Sequence, residues 1–168
     1  MKRLAIFGGF LISGSLLLGG CGGPSTVHRS SPITKIQKQV PFPIVLPLWL
    51  PKGMHLQTAQ VEHAAGPTSV SPADLTQAVL LYRRSGQSGT SWTFTLTEER
   101  FTVHVEPHQD VQYGGFTIEQ SGIGPGGVGG AVWHGPKGVS YLVTGYDFMP
   151  MKVLVHIVAS VAKHVSGR

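Results

Sequence analysis

From Trp92 to Glu106 apolar and polar side chains take turns: Trp92, Phe94 and Leu96 alternate with Thr93, Thr95 and Thr97, and Phe101, Val103 and Val105 alternate with Thr102, His104 and Glu106. A period of two sends successive side chains to opposite faces, so each run is expected as a strand with one buried face, with Glu98-Glu99-Arg100 as the polar turn between them. Further strands are expected at His55 to Glu62, Gln77 to Arg84, Gly115 to Gln120, Ala131 to His134 and Val139 to Tyr146. Their short, glycine-bearing or polar connections favour consecutive antiparallel pairing. After Pro150 the period changes. Val153, Leu154, Ile157, Val158, Val161, Ala162 and Val165 fall on one face at helical spacing, with Lys152, Ser160, Lys163 and His164 elsewhere. A sheet with one apolar face needs cover, and one amphipathic helix can supply it. The same modestly basic helix could instead lie on a membrane surface, but the sheet face would then have no partner. The expected fold class is α+β: a curved antiparallel sheet covered by the C-terminal helix.

Upstream of the first strand, Val40 to Met54 reads VPFPIVLPLWLPKGM, with four prolines set among Phe42, Ile44, Val45, Leu46, Leu48, Trp49 and Leu50. Proline removes a backbone donor and fixes φ, which excludes both a helix and a central strand. An extended apolar strap laid against the domain is expected. The segment Gly22 to Gln39 is small and polar and is expected as a flexible spacer.

The N-terminus has a different logic. Met1-Lys2-Arg3 is a short cationic start, and Leu4 to Leu18 runs without a charge. Fifteen residues make a helix of only about 22 Å, too short for a hydrocarbon core of roughly 30 Å. A signal peptide fits this pattern better than a permanent span. Leu18-Gly19-Gly20-Cys21 then resembles the lipobox of bacterial lipoproteins, a large apolar residue and two small ones before a cysteine. The resemblance implies cleavage between Gly20 and Cys21 and a diacylglyceryl group on the Cys21 thiol. Two acyl chains make physical sense, because a single one gives only marginal, reversible membrane binding. Cys21 is the only cysteine in the chain, which removes an intramolecular disulfide, and a thiol beside so many glycines has no packed pocket to activate it. The expected organisation is a signal peptide over 1–20, lipidated cysteine and spacer over 21–39, and one β-rich domain over 40–168.

Without Lys2 and Arg3 the chain keeps eleven basic against eight acidic side chains, a formal charge of +3. Arg29, Lys35 and Lys38 follow the cysteine with no acidic neighbours and could rest against anionic headgroups or simply keep the tether solvated. The basic residues are dispersed and form no recognition motif, so nucleic acid is not expected as a partner.

The succession Phe42-Pro-Ile-Val-Leu-Pro-Leu-Trp-Leu-Pro-Lys-Gly, a strand ending Leu80-Leu81-Tyr82, Ala131-Val132-Trp133-His134-Gly135, Val139-Ser-Tyr-Leu-Val-Thr-Gly145 and a closing helix resembles the DUF4367-type domains of Gram-positive lipoproteins and anti-sigma-like membrane proteins. The resemblance implies a curved antiparallel sheet with helical cover, distantly similar to lipoprotein-carrier folds. It brings no catalytic residues.

Motifs that would carry chemistry are weak. Gly124, Gly126 and Gly129 form a G-x-G-x-x-G, but Pro125 interrupts it and a strand follows where a phosphate-binding helix should stand, so a hairpin connection is expected. Eight histidines invite a metal. His156 and His164 lie about 12 Å apart along a helix, too far to share an ion. His104, His108 and Asp110 could meet in the fold, but no ligand spacing supports a site. No metal and no cofactor are expected, and the absence of G-x-S-x-G, H-E-x-x-H or a close carboxylate pair other than Glu98-Glu99 leaves catalysis unsupported. Tyr82, Trp92, Trp133 and Tyr141 are candidates for the wall of a ligand cleft, although such strand aromatics are more often core. The expected function is a non-enzymatic interaction or sensing module, lipid-anchored on the extracytoplasmic side of the cell membrane, with an envelope protein or hydrophobic ligand as partner. The alternatives are a carrier holding a lipid between sheet and helix and, third, an envelope hydrolase.

Overall fold

The computed structural model describes residues 32–63, 75–84, 92–100 and 103–167. The signal peptide, the cleavage position at Gly20 and Cys21 lie outside the described residues. A short helix α1 (Pro32–Gln37) leads into an irregular segment and then strands β1 (Met54–His63), β2 (Thr76–Arg84), β3 (Thr93–Glu99), β4 (His108–Tyr113), β5 (Phe116–Ser121), β6 (Gly129–His134) and β7 (Ser140–Gly145), followed by helix α2 (Met151–Ser166). All seven strands join one antiparallel sheet in the order β1-β2-β3-β7-β6-β5-β4. Two meanders, β1-β2-β3 and β4-β5-β6-β7, meet where β3 pairs with β7. The α+β class expected from the two periods is the class observed.

Register sorts the side chains onto two faces. Across β2, β3, β7 and β6, the ladder sets Ala78, Glu98, Tyr141 and Trp133 in one row and Leu80, Leu96, Val143 and Ala131 in the next. Every apolar member of these rows is buried. Helix α2 covers this face over β5, β6 and β7, inserting Leu154, Ile157, Val158 and Val161, all fully buried. Gly145 is small for a reason: a Cβ there would sit 2.6 Å from Leu154 Cδ2. The helix ends at Gly167, whose φ of 65° is left-handed and whose N–H turns back to the carbonyls of Lys163 and His164.

Four parts of the sequence reading change. The run Phe101 to Glu106 was expected as strand; Phe101 and Thr102 lie outside the described residues, and Val103 to Glu106 carries no ladder, because β3 is already flanked by β2 and β7 and leaves no edge for the next segment to join. This segment instead crosses the outer face, where Val105 Cγ1 would stand 3.0 Å from a Cβ on Gly130. The strand comes one step later, as β4 at the sheet edge. Glu98 and Glu99, expected in a polar turn, end β3 and are buried. Within the expected spacer, residues 32–37 form α1, which packs on β1 and buries Ile36. Finally, α2 is buried around more of its circumference than its apolar stripe: Ala159 and Ser160 are buried too. The glycine-rich segment after β5 is the β5–β6 connection, closed by Gly124 N–H to the Val128 carbonyl at 2.9 Å.

Candidate functional site

The strap explains the second buried side of α2. Its prolines leave backbone groups that cannot enter a ladder, and side chains from elsewhere meet them. The Gln37 amide donates to the Phe42 carbonyl and accepts from Ile44 N–H. Val45 N–H donates to both carboxyl oxygens of Glu98, at 3.0 and 3.1 Å. His164 Nδ1 donates to the Leu46 carbonyl at 2.8 Å, and the Ser160 hydroxyl reaches the Ile157 carbonyl at 2.7 Å and the Trp49 carbonyl at 3.4 Å. Phe42 is buried, and Ile44, Val45 and Leu50 pack against the core. The strap is thereby fixed along α2.

Beyond Leu46 the strap turns apolar side chains outward. Leu48 is 57% and Trp49 37% exposed. Trp49 lies flat on His156 of α2, with ring centroids 3.9 Å apart and planes 6° from parallel. Tyr113, at the tip of the β4–β5 hairpin, places its ring 5.5 Å from the same imidazole, tilted by 46°. Strap, hairpin and helix enclose a cleft of about 370 Å³ lined by Leu48, Trp49, Tyr113, Phe116, His156 and Lys163, together with small residues. That volume falls within the range of small-molecule sites. The lining contains no acidic side chain, and Lys163 supplies a cation.

The aromatics singled out in the sequence lie elsewhere. Tyr82 stacks on Phe94 at 4.6 Å and Trp133 on Tyr141 at 5.5 Å, and Tyr82, Trp133 and Tyr141 are buried among the core side chains. Trp92 is half-buried, with the Arg84 guanidinium over its ring at 5.3 Å. Strand alternation pointed these rings inward, where α2 and the strap fill the space. The space between sheet and helix is occupied by Ile157, Val161 and Trp133, which bears against a lipid carried there. Trp49, Tyr113 and His156 were missed as a group because they come from three distant segments; Trp49 was read only as one of the strap's apolar residues and His156 only as a helix histidine too far from His164 to share an ion.

Two electrostatic features flank this architecture. Burial pushes Glu98 up to about 8, against the Val45 N–H that lowers it. Burial likewise raises Glu99 to about 7, although the Gln77 side chain donates to it. The Tyr82 phenol is raised and the Tyr141 phenol is pushed up to about 12, first by burial and then by the Glu98 charge.

On the outer face, opposite α2, the crossover brings His104 onto β5 and β6. Glu119 Oε2 lies 2.9 Å from His104 Nδ1, and Glu119 Oε1 lies 3.0 Å from His134 Nε2. The other nitrogen of His134, Nδ1, meets the Ser140 hydroxyl at 3.1 Å. Burial acts to raise Glu119, but hydrogen bonds and charge from the two histidines outweigh it and hold its carboxyl below the ordinary value. Serine, imidazole and carboxylate in sequence suggest a hydrolytic triad. Ser140 is only 2% exposed within β7, so its hydroxyl is closed to a substrate carbonyl.

Among the described residues no helix is long and apolar enough to cross a membrane. No family model, no curated protein and no solved structure matches the chain.

Proposed function

We propose that the chain is an extracytoplasmic lipoprotein, held to the membrane by a diacylglyceryl group on Cys21, whose domain is a non-enzymatic binding or sensing module. The observation that carries the binding role is the cleft in which Trp49, Tyr113 and His156 stand ring to ring at the surface. Exposed aromatics held by a rigid scaffold are the usual material of recognition. With Lys163 as a cation in the lining and no acid there, the cleft suits an apolar group bearing an anionic end. Catalysis has no comparable support: Ser140, which stands in a histidine and carboxylate array, is buried.

The tether is supported by the lone cysteine at the end of a short apolar leader, eleven positions before Pro32, where α1 begins. The likeness to DUF4367-type domains belongs to the same proposal and is supported by the antiparallel sheet with its C-terminal helix. Radiolabelled palmitate should enter the wild-type chain and be absent from Cys21→Ala; label retained in that variant would refute the anchor. Native mass spectrometry of the detergent-extracted protein tests the cleft: a non-covalent anionic amphiphile on the wild type, lost from Trp49→Ala, is the expected result. An adduct that persists in Trp49→Ala would place the ligand elsewhere.

A further inference from the structure

His104, Glu119 and His134 offer one ligand atom each, all within 4.8 Å of one another. They come from three elements, the crossover, β5 and β6, so the sheet and not a local motif sets their geometry. Zinc bonded to nitrogen and oxygen at about 2.0 to 2.2 Å places neighbouring tetrahedral ligands about 3.3 Å apart. Glu119 Oε1 lies 3.1 Å from His104 Nδ1 and 3.0 Å from His134 Nε2, so these contacts need open by only a few tenths of an ångström, while the two imidazole nitrogens, within 4.8 Å of each other, need close by at most about 1.5 Å to hold an ion. We propose that His104 Nδ1, Glu119 and His134 Nε2 form a binding site for a zinc-type divalent transition-metal ion, with its fourth position toward solvent.

Three features argue for a site rather than a chance meeting of side chains. Ser140 bonds the remote nitrogen of His134, the arrangement by which an outer partner fixes a ligand's tautomer and ring orientation. Its hydroxyl can donate to Nδ1 when the proton sits on Nε2, and accept from Nδ1 when Nε2 gives its lone pair to a metal. Access is also provided: the His104 and His134 side chains are 55% and 37% exposed, while Glu119 is 14% exposed and set beneath them. Around the rim stand further donors of the same kind. The His108 ring lies 6.3 Å from that of His104, and Asp110 faces Glu119 across the β4–β5 ladder. Two imidazoles and one carboxylate are a zinc ligand set, and three protein ligands leave one exchangeable position. Metal here would pin the crossover to the outer face, on the side of the sheet away from the aromatic cleft, so the two sites stand or fall separately.

The test is calorimetric titration of the detergent-solubilised full chain with Zn²⁺, with Co²⁺ as a spectroscopic substitute. One equivalent should bind, and Co²⁺ should show the intense visible band of a tetrahedral site. His104→Ala removes an exposed crossover ligand without touching the core; it should weaken binding by more than the 10- to 100-fold that loss of an outer partner typically costs. Glu119→Gln should do the same. Ser140→Ala should lose about 10- to 100-fold while still binding. His55→Ala, on β1 far from the site in the sheet order, should leave the titration unchanged. No stoichiometric binding, or binding equally strong in His104→Ala and Glu119→Gln, would overturn the proposal.

Discussion

Replacing Glu98 by glutamine should change how the stability of this protein depends on pH. The wild-type carboxyl is fully buried, with Val45 N–H donating to its oxygens, and is raised from 4.5 to about 8. In the unfolded chain the same acid ionises near its ordinary value. Between those two limits the folded state therefore holds a proton that the unfolded state has released, and stability falls as pH rises. The contribution is fully present below pH 4.5 and is lost as pH climbs through about 8. At about 1.4 kcal/mol per decade, carrying the acid from 4.5 to about 8 amounts to something on the order of 4 to 5 kcal/mol. That is a large share of the 5 to 15 kcal/mol typical of a folded domain.

Glutamine has nearly the shape of the protonated acid, can still accept from Val45, and does not titrate. Urea unfolding of wild type and Glu98→Gln, followed by tryptophan fluorescence between pH 4.5 and 8.5 at fixed ionic strength, gives the stability difference at each pH. The variant should gain on the wild type steadily across that window. Glu99, raised to about 7, and Glu119, held low, act in opposite senses on the absolute curves but are shared by both proteins and cancel in the difference. A difference constant to within about 1 kcal/mol across the window, less than one decade of linkage, would refute the placement of an ionisable carboxyl in the core.

Two further predictions concern the sheet and its helix. Gly145→Val would drive a side chain into Leu154, whose Cδ2 lies 2.6 Å from a Cβ at that position, and overpacking of this kind should lower stability by about 1 to 3 kcal/mol in thermal or urea unfolding. Leu154→Ala, at a fully buried position, should cost about 2 to 5 kcal/mol in the same assay; a loss under 1 kcal/mol would mean that α2 does not dock as described.

Much of the fold was legible because its strands are half-buried. Ala78, Leu80 and Tyr82 in β2 and Phe94 and Leu96 in β3 alternate as a period of two requires, and the residues between them are less buried. Strand β4 was not legible, since only Val111 in it is even half-buried and an edge strand so polar has no alternation to show. The crossover misled for the opposite reason: Val103 and Val105 are half-buried and His104 is exposed, as alternation expects, but the pattern records packing on a face, not pairing. Two adjacent glutamates read as a turn because their burial depends on contacts from the distant strap and from Gln77. The same holds for both candidate sites. Ser160 meets a strap residue 111 positions away, and His104 meets a glutamate 15 positions on through a strand order that a local pattern does not encode. The sequence reading considered His104, His108 and Asp110 and expected no metal; Glu119 and His134 come beside His104 only once β5 and β6 are placed next to each other.

The proposed binding role of the domain is tested most directly by titrating the full chain with anilinonaphthalene sulfonate, an apolar aromatic probe with one anionic group whose fluorescence rises on apolar surfaces. The cleft of Leu48, Trp49, Tyr113, His156 and Lys163 predicts saturable binding of one probe, weakened at least about tenfold, or about 1.4 kcal/mol, in Trp49→Ala and to a smaller degree in Lys163→Ala. Binding of equal affinity and stoichiometry in wild type and Trp49→Ala would contradict the assignment.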